Sequence, residues 1–275
     1  MLLITGASGG LGSLIAEKLA GRADVRLGTR RPSGPDQLRV DFDDPSGLDF
    51  SGVRTLLMIS AGYGEDDVVI ARHEAAITAA ERAGVRHLVY TSLTREGDHL
   101  PYALAHRWTE RRLAASPVAT TVLRNGLYAE LLAALAAPAP DGRITAPLGA
   151  GRIAAVARED LAEVAVRVAT DPAPHAGRTY ELVGDRAIGG ADLAAAVGAT
   201  YAPGTLADAR RALSGPGAVP FQVPMLVGTY SAIAADFLAT EDEGPLRTLL
   251  GRTPRPALTA YAQAVTANTG WSAAA

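Results

Sequence analysis

The segment Thr5-Gly6-Ala7-Ser8-Gly9-Gly10-Leu11-Gly12 constrains this chain more than any other. It stands between an apolar run, Leu2–Thr5, and a stretch carrying Leu11, Leu14, Ile15 and Leu19 at helical spacing. A strand that turns through glycines into a helix is the phosphate-binding start of a βαβ unit. Gly6 permits the tight turn, Gly9 or Gly10 removes the Cβ that would block a pyrophosphate, and Gly12 lets the helix lie close to the sheet. The free N–H groups and the dipole at the helix start then hold phosphate. Gly6, Ser8, Gly9, Gly10, Leu11 and Gly12 are therefore the expected phosphate cradle of a dinucleotide site.

The rest of the first half supports that reading. Apolar runs at Val25–Thr29, Leu38–Asp41, Thr55–Ser60, His87–Ser92 and Thr120–Arg124 alternate with helical stretches at Asp66–Ala83 and Pro101–Ala115. Such alternation predicts a Rossmann-like, doubly wound α/β fold with a mostly parallel sheet. Residues 1–135 are expected to form the nucleotide-binding domain, with a strand near 179–183 added to its sheet. Residues 136–275 read as a crossover, a helix at Arg158–Thr170 and a small, mostly helical substrate lobe. Gly and Pro interrupt that lobe so often that it is expected to cap the sheet edge without a core of its own. Trp271–Ala275 reads as a loose tail.

Composition removes several chemistries. With no cysteine there is no thiol nucleophile, disulfide or cysteine-bound metal. The five histidines show no metal-ligand spacing, so no metal site is expected. Net charge is −3 without a basic block, which gives no support for nucleic-acid or membrane-surface binding. No apolar run reaches the roughly 18–20 residues of a spanning helix. A cytoplasmic protein is expected, acting on a small molecule, with a homodimer left open. Lys18 is the only lysine.

The second strand ends Gly28-Thr29-Arg30-Arg31, where an NAD site carries a carboxylate for the ribose 2′-hydroxyl. Two guanidiniums suit a 2′-phosphate, so NADP(H) is favoured over NAD(H); two solvated arginines on a turn are the alternative. Asp41 is either an adenine contact or a surface turn carboxylate. Ser60-Ala61-Gly62 would let the backbone pass close to the ribose and nicotinamide.

Beyond Thr5-Gly6-x-x-x-Gly10-x-Gly12, three further segments narrow the reading: Tyr90-Thr91-Ser92-Leu93, Leu123-Arg124-Asn125-Gly126-Leu127-Tyr128-Ala129-Glu130 and Tyr180-Glu181-Leu182-Val183-Gly184-Asp185. Together they resemble the NmrA-like, atypical branch of the short-chain dehydrogenase/reductases, nearest to its NAD(P)H:quinone oxidoreductases of the second type and polyketide-tailoring relatives. The resemblance implies a seven-stranded sheet, NADPH across its C-terminal edge and a lobe closing the cleft. It covers residues 1 to about 200. The branch also holds non-catalytic redox sensors that regulate a partner protein.

One departure matters. Standard members use Tyr-x-x-x-Lys, and this chain has Tyr102-Ala-Leu-Ala-His106. His106 either replaces the lysine at the ribose or is a helix-face histidine touching no ligand, and Tyr102 either acts as acid or does not. Ser92 stands where the family's serine would bind a carbonyl; bonding its own backbone is the alternative. Reducing an isolated ketone needs an acid beside the nascent alkoxide. Reducing a quinone gives a phenolate with a pKa nearer ~10, which can take its proton from water. The expected activity is thus hydride transfer from NADPH to a quinone or polycyclic aromatic ketone, with aromatic polyketide tailoring and O2-dependent hydroxylation through a dihydroquinone as extensions. Slot candidates are Tyr63, Leu93, Tyr128, Phe221 and Met225, with Trp108, Tyr230 and Phe237 behind them; each is otherwise a core residue. Asn125 either holds its loop or contacts the nicotinamide side.

Overall fold

A computed structural model describes residues 1–267, so the Trp271–Ala275 expectation lies outside the described residues. The first half builds β1 (Leu2–Ile4), α1 (Gly10–Lys18), β2 (Val25–Thr29), β3 (Gln37–Arg39), β4 (Thr55–Ile59), α2 (Asp66–Arg82), β5 (His87–Leu93), α3 (Ala103–Ala114), β6 (Ala119–Asn125) and α4 (Ala129–Leu135). Then follow β7 (Arg143–Ile144), β8 (Arg152–Ile153), α5 (Arg158–Thr170), β9 (Thr179–Leu182), β10 (Ile188–Gly189), α6 (Gly190–Ala196) and β11 (Thr200–Tyr201). Helices α7 (Leu206–Leu213), α8 (Gln222–Ala234), α9 (Pro245–Leu250) and α10 (Ala257–Thr266) complete the described chain.

The central sheet has seven strands in the order β3-β2-β1-β4-β5-β6-β9, every pairing parallel. A parallel sheet is covered on both faces, so its strands are continuously apolar. Alternate residues supply the two layers. Leu3, Leu56, Met58, Leu88 and Tyr90 face Ala76, Ile77 and Ala80 of α2 and Leu113 of α3. Ile4, Leu57, Val89 and Leu123 face Leu11 and Ile15 of α1 and Leu161, Val164 and Val168 of α5. Strand order reverses between β1 and β4, and there the C-terminal edge opens a crevice.

The lobe packs on the first half through a shared buried cluster. Leu132, Leu135, Ile144, Leu148, Leu193, Tyr230, Ile233 and Tyr261 form one buried cluster, joined from the sheet side by Leu93 and Leu100. Most of the glycines and prolines fall between helices, and Pro224 sits in the first turn of α8, where a missing N–H costs nothing. Helix α4, which closes the segment read as the nucleotide-binding domain, is short and ends without a glycine. Its last carbonyls are satisfied instead by two buried tyrosines: Tyr230 donates to Leu135 O (2.6 Å) and Tyr261 to Ala136 O (2.7 Å). Asp160, fully buried at the start of α5, accepts from Arg252 Nη2 (2.7 Å) and the Arg255 N–H (2.7 Å), anchoring the link between α9 and α10.

Candidate active site

The turn from β1 into α1 has the geometry that its glycines require. Gly6 takes φ +63°, open to glycine at little cost. A Cβ on Gly12 would fall 2.0 Å from Gly6 O and 2.8 Å from Ala7 Cα, so only glycine lets the helix lie on the turn. Gly9 has extended backbone (φ −77°, ψ 168°), and its Cβ would meet nothing nearer than Gly6 O at 3.4 Å. A Cβ on Gly10 would instead fall 2.8 Å from Arg158 Nη1. Gly9 thus keeps space open above the turn, and Gly10 makes room for a guanidinium. Ser8 is exposed beside this opening, and Leu11 turns inward as core.

Beside the turn lies a cleft of about 300 Å³ bounded by Ser8, Ser13, Leu27, Thr29, Arg31, Ser33 and Gln37. Hydroxyls and one guanidinium around a small cleft at the end of β2 fit a ribose 2′-phosphate. Arg31 borders this cleft, whereas the charge of Arg30 acts on Asp43. Of the pair, Arg31 is the one that lines the cleft. Asp41 accepts the Asp43 N–H (3.2 Å) and pairs with Arg39 (3.4 Å), which makes it a turn carboxylate.

The loop after β4 is held from below. Ser60 N–H donates to Thr91 Oγ1 (3.0 Å), and Ala61 N–H donates to His73 Nε2 (3.0 Å). His73 Nδ1 therefore carries the ring proton and donates to Thr109 Oγ1 (2.8 Å), which donates to Ala105 O (2.7 Å). Burial drives the His73 pKa down to about 3, so the ring stays neutral and keeps that tautomer. Gly62 continues the loop, with only Ser60 Oγ near a hypothetical Cβ, at 3.5 Å. Spacing gave no hint of His73, because its partners lie on other elements.

The three expected catalytic side chains turn to different partners. Helix α3 starts at Ala103, so Tyr102 is its N-cap and not a helical residue four before His106. The Tyr102 hydroxyl lies 3.4 Å from Thr229 Oγ1 on α8, and burial lifts its pKa to about 12. His106 Nδ1 pairs with the Tyr90 hydroxyl at 2.9 Å, and burial lowers its pKa to about 4. A neutral imidazole so engaged is no substitute for an ammonium. Ser92 Oγ donates to Glu110 (2.6 Å), within a network that continues to Arg124 and Glu181. Lys18 pairs with Glu159 on α5.

Tyr63 and Phe221 meet edge to face, ring centroids 5.1 Å apart, bringing the β4 loop against the start of α8. Met225 lies one turn further along α8. Leu93 is core, as is Tyr230, while Phe237 stacks on His99 at 4.1 Å and is 44% exposed. Tyr128 caps α4 at the end of β6. Burial raises its pKa, and the nearby Arg158 charge works against that shift.

Among the described residues, the buried side-chain polar atoms without a partner are Asn125 Oδ1, Arg158 Nε and Gln222 Nε2. Asn125 and Arg158 flank Tyr128, whose ring lies 5.0 Å from the Arg158 guanidinium carbon. Gln222 follows Phe221. Orphaned buried groups are rare in folded proteins. Together with the glycine cradle and the Arg31 cleft, they fit a bound dinucleotide.

No protein-family model matches the sequence. Quinone oxidoreductase 2 of Escherichia coli is 36% identical over 203 residues, 68% of this chain and 70% of that protein. The chain belongs to the NmrA-like family of atypical short-chain dehydrogenase/reductases. Within that family, an NAD(P)H azoreductase of Xenophilus azovorans is 28% identical over 277 residues, 94% of this chain and 95% of its own. The crystal structure of the NADPH-dependent quinone oxidoreductase of Escherichia coli, complexed with NADPH, superposes with a TM-score of 0.83. It is 31% identical and covers 98% of this chain and all of its own. This chain is accordingly an NAD(P)H-dependent oxidoreductase that binds NADP(H).

Proposed function

We propose that this chain passes hydride from NADPH to a quinone or a polycyclic aromatic ketone. The observation that carries the reading is the state of the acid candidates. The Tyr102 hydroxyl is held toward Thr229 with its pKa near 12, His106 is neutral and bound to Tyr90, and Lys18 is paired with Glu159 of α5. A nascent alkoxide would find no tuned donor there, whereas a hydroquinone anion, with a pKa nearer ~10, takes its proton from water. Bound NADPH supplies the hydride. The chain supplies position: His73 and Thr91 fix the Ser60-Ala61 loop, Asn125 and Tyr128 border the nicotinamide side, and Tyr63, Phe221 and Met225 form an apolar wall suited to a flat ring system.

The names of the relatives, a quinone oxidoreductase and an azoreductase, support a conjugated acceptor. An aromatic polyketide quinone in the cytoplasm fits the same slot. Reoxidation of its hydroquinone by O2 would account for a hydroxylation with neither flavin nor metal. The test is NADPH consumption against naphthoquinones, anthraquinones and simple aliphatic ketones, with and without O2. Turnover of quinones but not of simple ketones supports the reading. Turnover confined to simple ketones contradicts it, and tight NADPH binding with background oxidation for every acceptor makes the chain a sensor.

A further inference from the structure

Arg158 is the first residue of α5, where a helix already carries the positive end of its dipole. Its guanidinium also lies against the first turn of α1, 2.8 Å from where a Gly10 Cβ would stand. Two helix starts and a cation thus meet at one point, and each repels the others. No carboxylate pairs with the Arg158 guanidinium among the described residues, and its Nε is buried without an acceptor. The nearby Glu130 is otherwise engaged: its two oxygens accept the Arg158 backbone N–H at 3.1 and 3.2 Å, capping α5. The Tyr128 ring supports the guanidinium 5.0 Å from its centroid. A cation held on an aromatic face, with donors unmet, among like partial charges, lacks one component: an anion.

We propose that Arg158 is a second phosphate-binding group of the NADP(H) site. It donates to the pyrophosphate from the α5 side, opposite the backbone N–H groups of the glycine turn. The site then grips the pyrophosphate between two helix starts, and Tyr128 serves as the platform that keeps the guanidinium in place.

The test is calorimetric binding of two ligands to the purified protein. NADPH carries the pyrophosphate, and adenosine 2′-monophosphate carries only the 2′-phosphate. Arg158→Gln and Arg158→Met each remove the charge, and Met also keeps the packed stem. Losing a charge-assisted hydrogen bond predicts an NADPH Kd raised about 10- to 100-fold. The adenosine 2′-monophosphate Kd should stay within about twofold. Arg158→Lys, which keeps the charge and loses the planar fork, should fall between wild type and the other two. An NADPH Kd unchanged in either neutral variant overturns the proposal. So does an equal loss of both ligands, which would mean that Arg158 only supports the fold.

Discussion

Gly9→Ala and Gly12→Ala test the phosphate cradle from two sides. A methyl group on Gly12 would stand 2.0 Å from Gly6 O, and real Cβ contacts begin near 3.0 Å, so the start of α1 must retreat by about 1 Å. The obstacle is backbone, which cannot rotate away. Overpacking of this kind costs about 1–3 kcal/mol, offset by about 1 kcal/mol of improved helix propensity. For a chain of this size the net loss, centred near 1 kcal/mol, predicts a Tm lower by roughly 2–4 °C. The same retreat pulls the helix N–H groups beyond the ~2.7–3.2 Å range of their bonds to phosphate. Losing two charge-assisted bonds predicts an NADPH Kd raised by about 100-fold or more. Gly9→Ala differs, because its Cβ would sit 3.4 Å from Gly6 O on backbone that any residue adopts. Its Tm without ligand should stay within about 1 °C of wild type. Its methyl stands in the space for the pyrophosphate, so its NADPH Kd should rise about tenfold. Thermal unfolding without ligand and fluorescence titration with NADPH read both quantities. A Gly12→Ala protein that melts and binds as wild type would refute the packing argument, and a Gly9→Ala protein that loses as much Tm as Gly12→Ala would refute the distinction.

Arg31→Ala should raise the Kd for NADPH by about 10- to 100-fold and leave that for NADH within about twofold, whereas Arg30→Ala should change neither by more than about threefold. Equal losses for both nucleotides would remove Arg31 from the 2′-phosphate. Tyr102→Phe should keep kcat on naphthoquinones within about threefold, because loss of a true general acid costs about 100-fold or more. The His106 pKa is lowered from its ordinary 6.5 to about 4, so between those values the unfolded chain binds a proton that the folded chain refuses. Stability should therefore fall as pH drops from about 6.5 toward 4, and His106→Asn should flatten that slope by up to ~1.4 kcal/mol per pH unit. Urea denaturation at pH 5 and 6 measures the difference, and identical slopes would show that His106 is not held neutral.

The sheet was legible because burial on both faces leaves runs such as Leu56-Leu57-Met58-Ile59 that suit little else. The glycine turn was legible because backbone geometry demands those residues. The lobe was less legible. The buried cluster it shares with the first half forms only when α4, α6, α8 and α10 meet, and α4 has just seven residues and is closed by tyrosines from distant helices. The site shows the same divide. Arg31 could be read from the end of β2, whereas the sequence does not show which of the two arginines lines the cleft beside the glycine turn. The spacing of Tyr102 and His106 suggested one helical face, yet the helix begins between them. His73 and Arg158 act through residues far away in sequence, Ala61 with Thr109 and Gly10 with Tyr128, and no local pattern announces such contacts.

Hydride transfer from NADPH to a quinone, as proposed for this chain, needs no acid from the protein. An anaerobic single turnover with stoichiometric NADPH and 1,4-naphthoquinone, followed by absorbance as a function of pH, tests it directly. The account predicts one hydroquinone formed per NADPH oxidised, at a rate that neither Tyr102→Phe nor His106→Asn reduces by more than about threefold. NADPH that binds and is not oxidised, or oxidation abolished by either substitution, would contradict it.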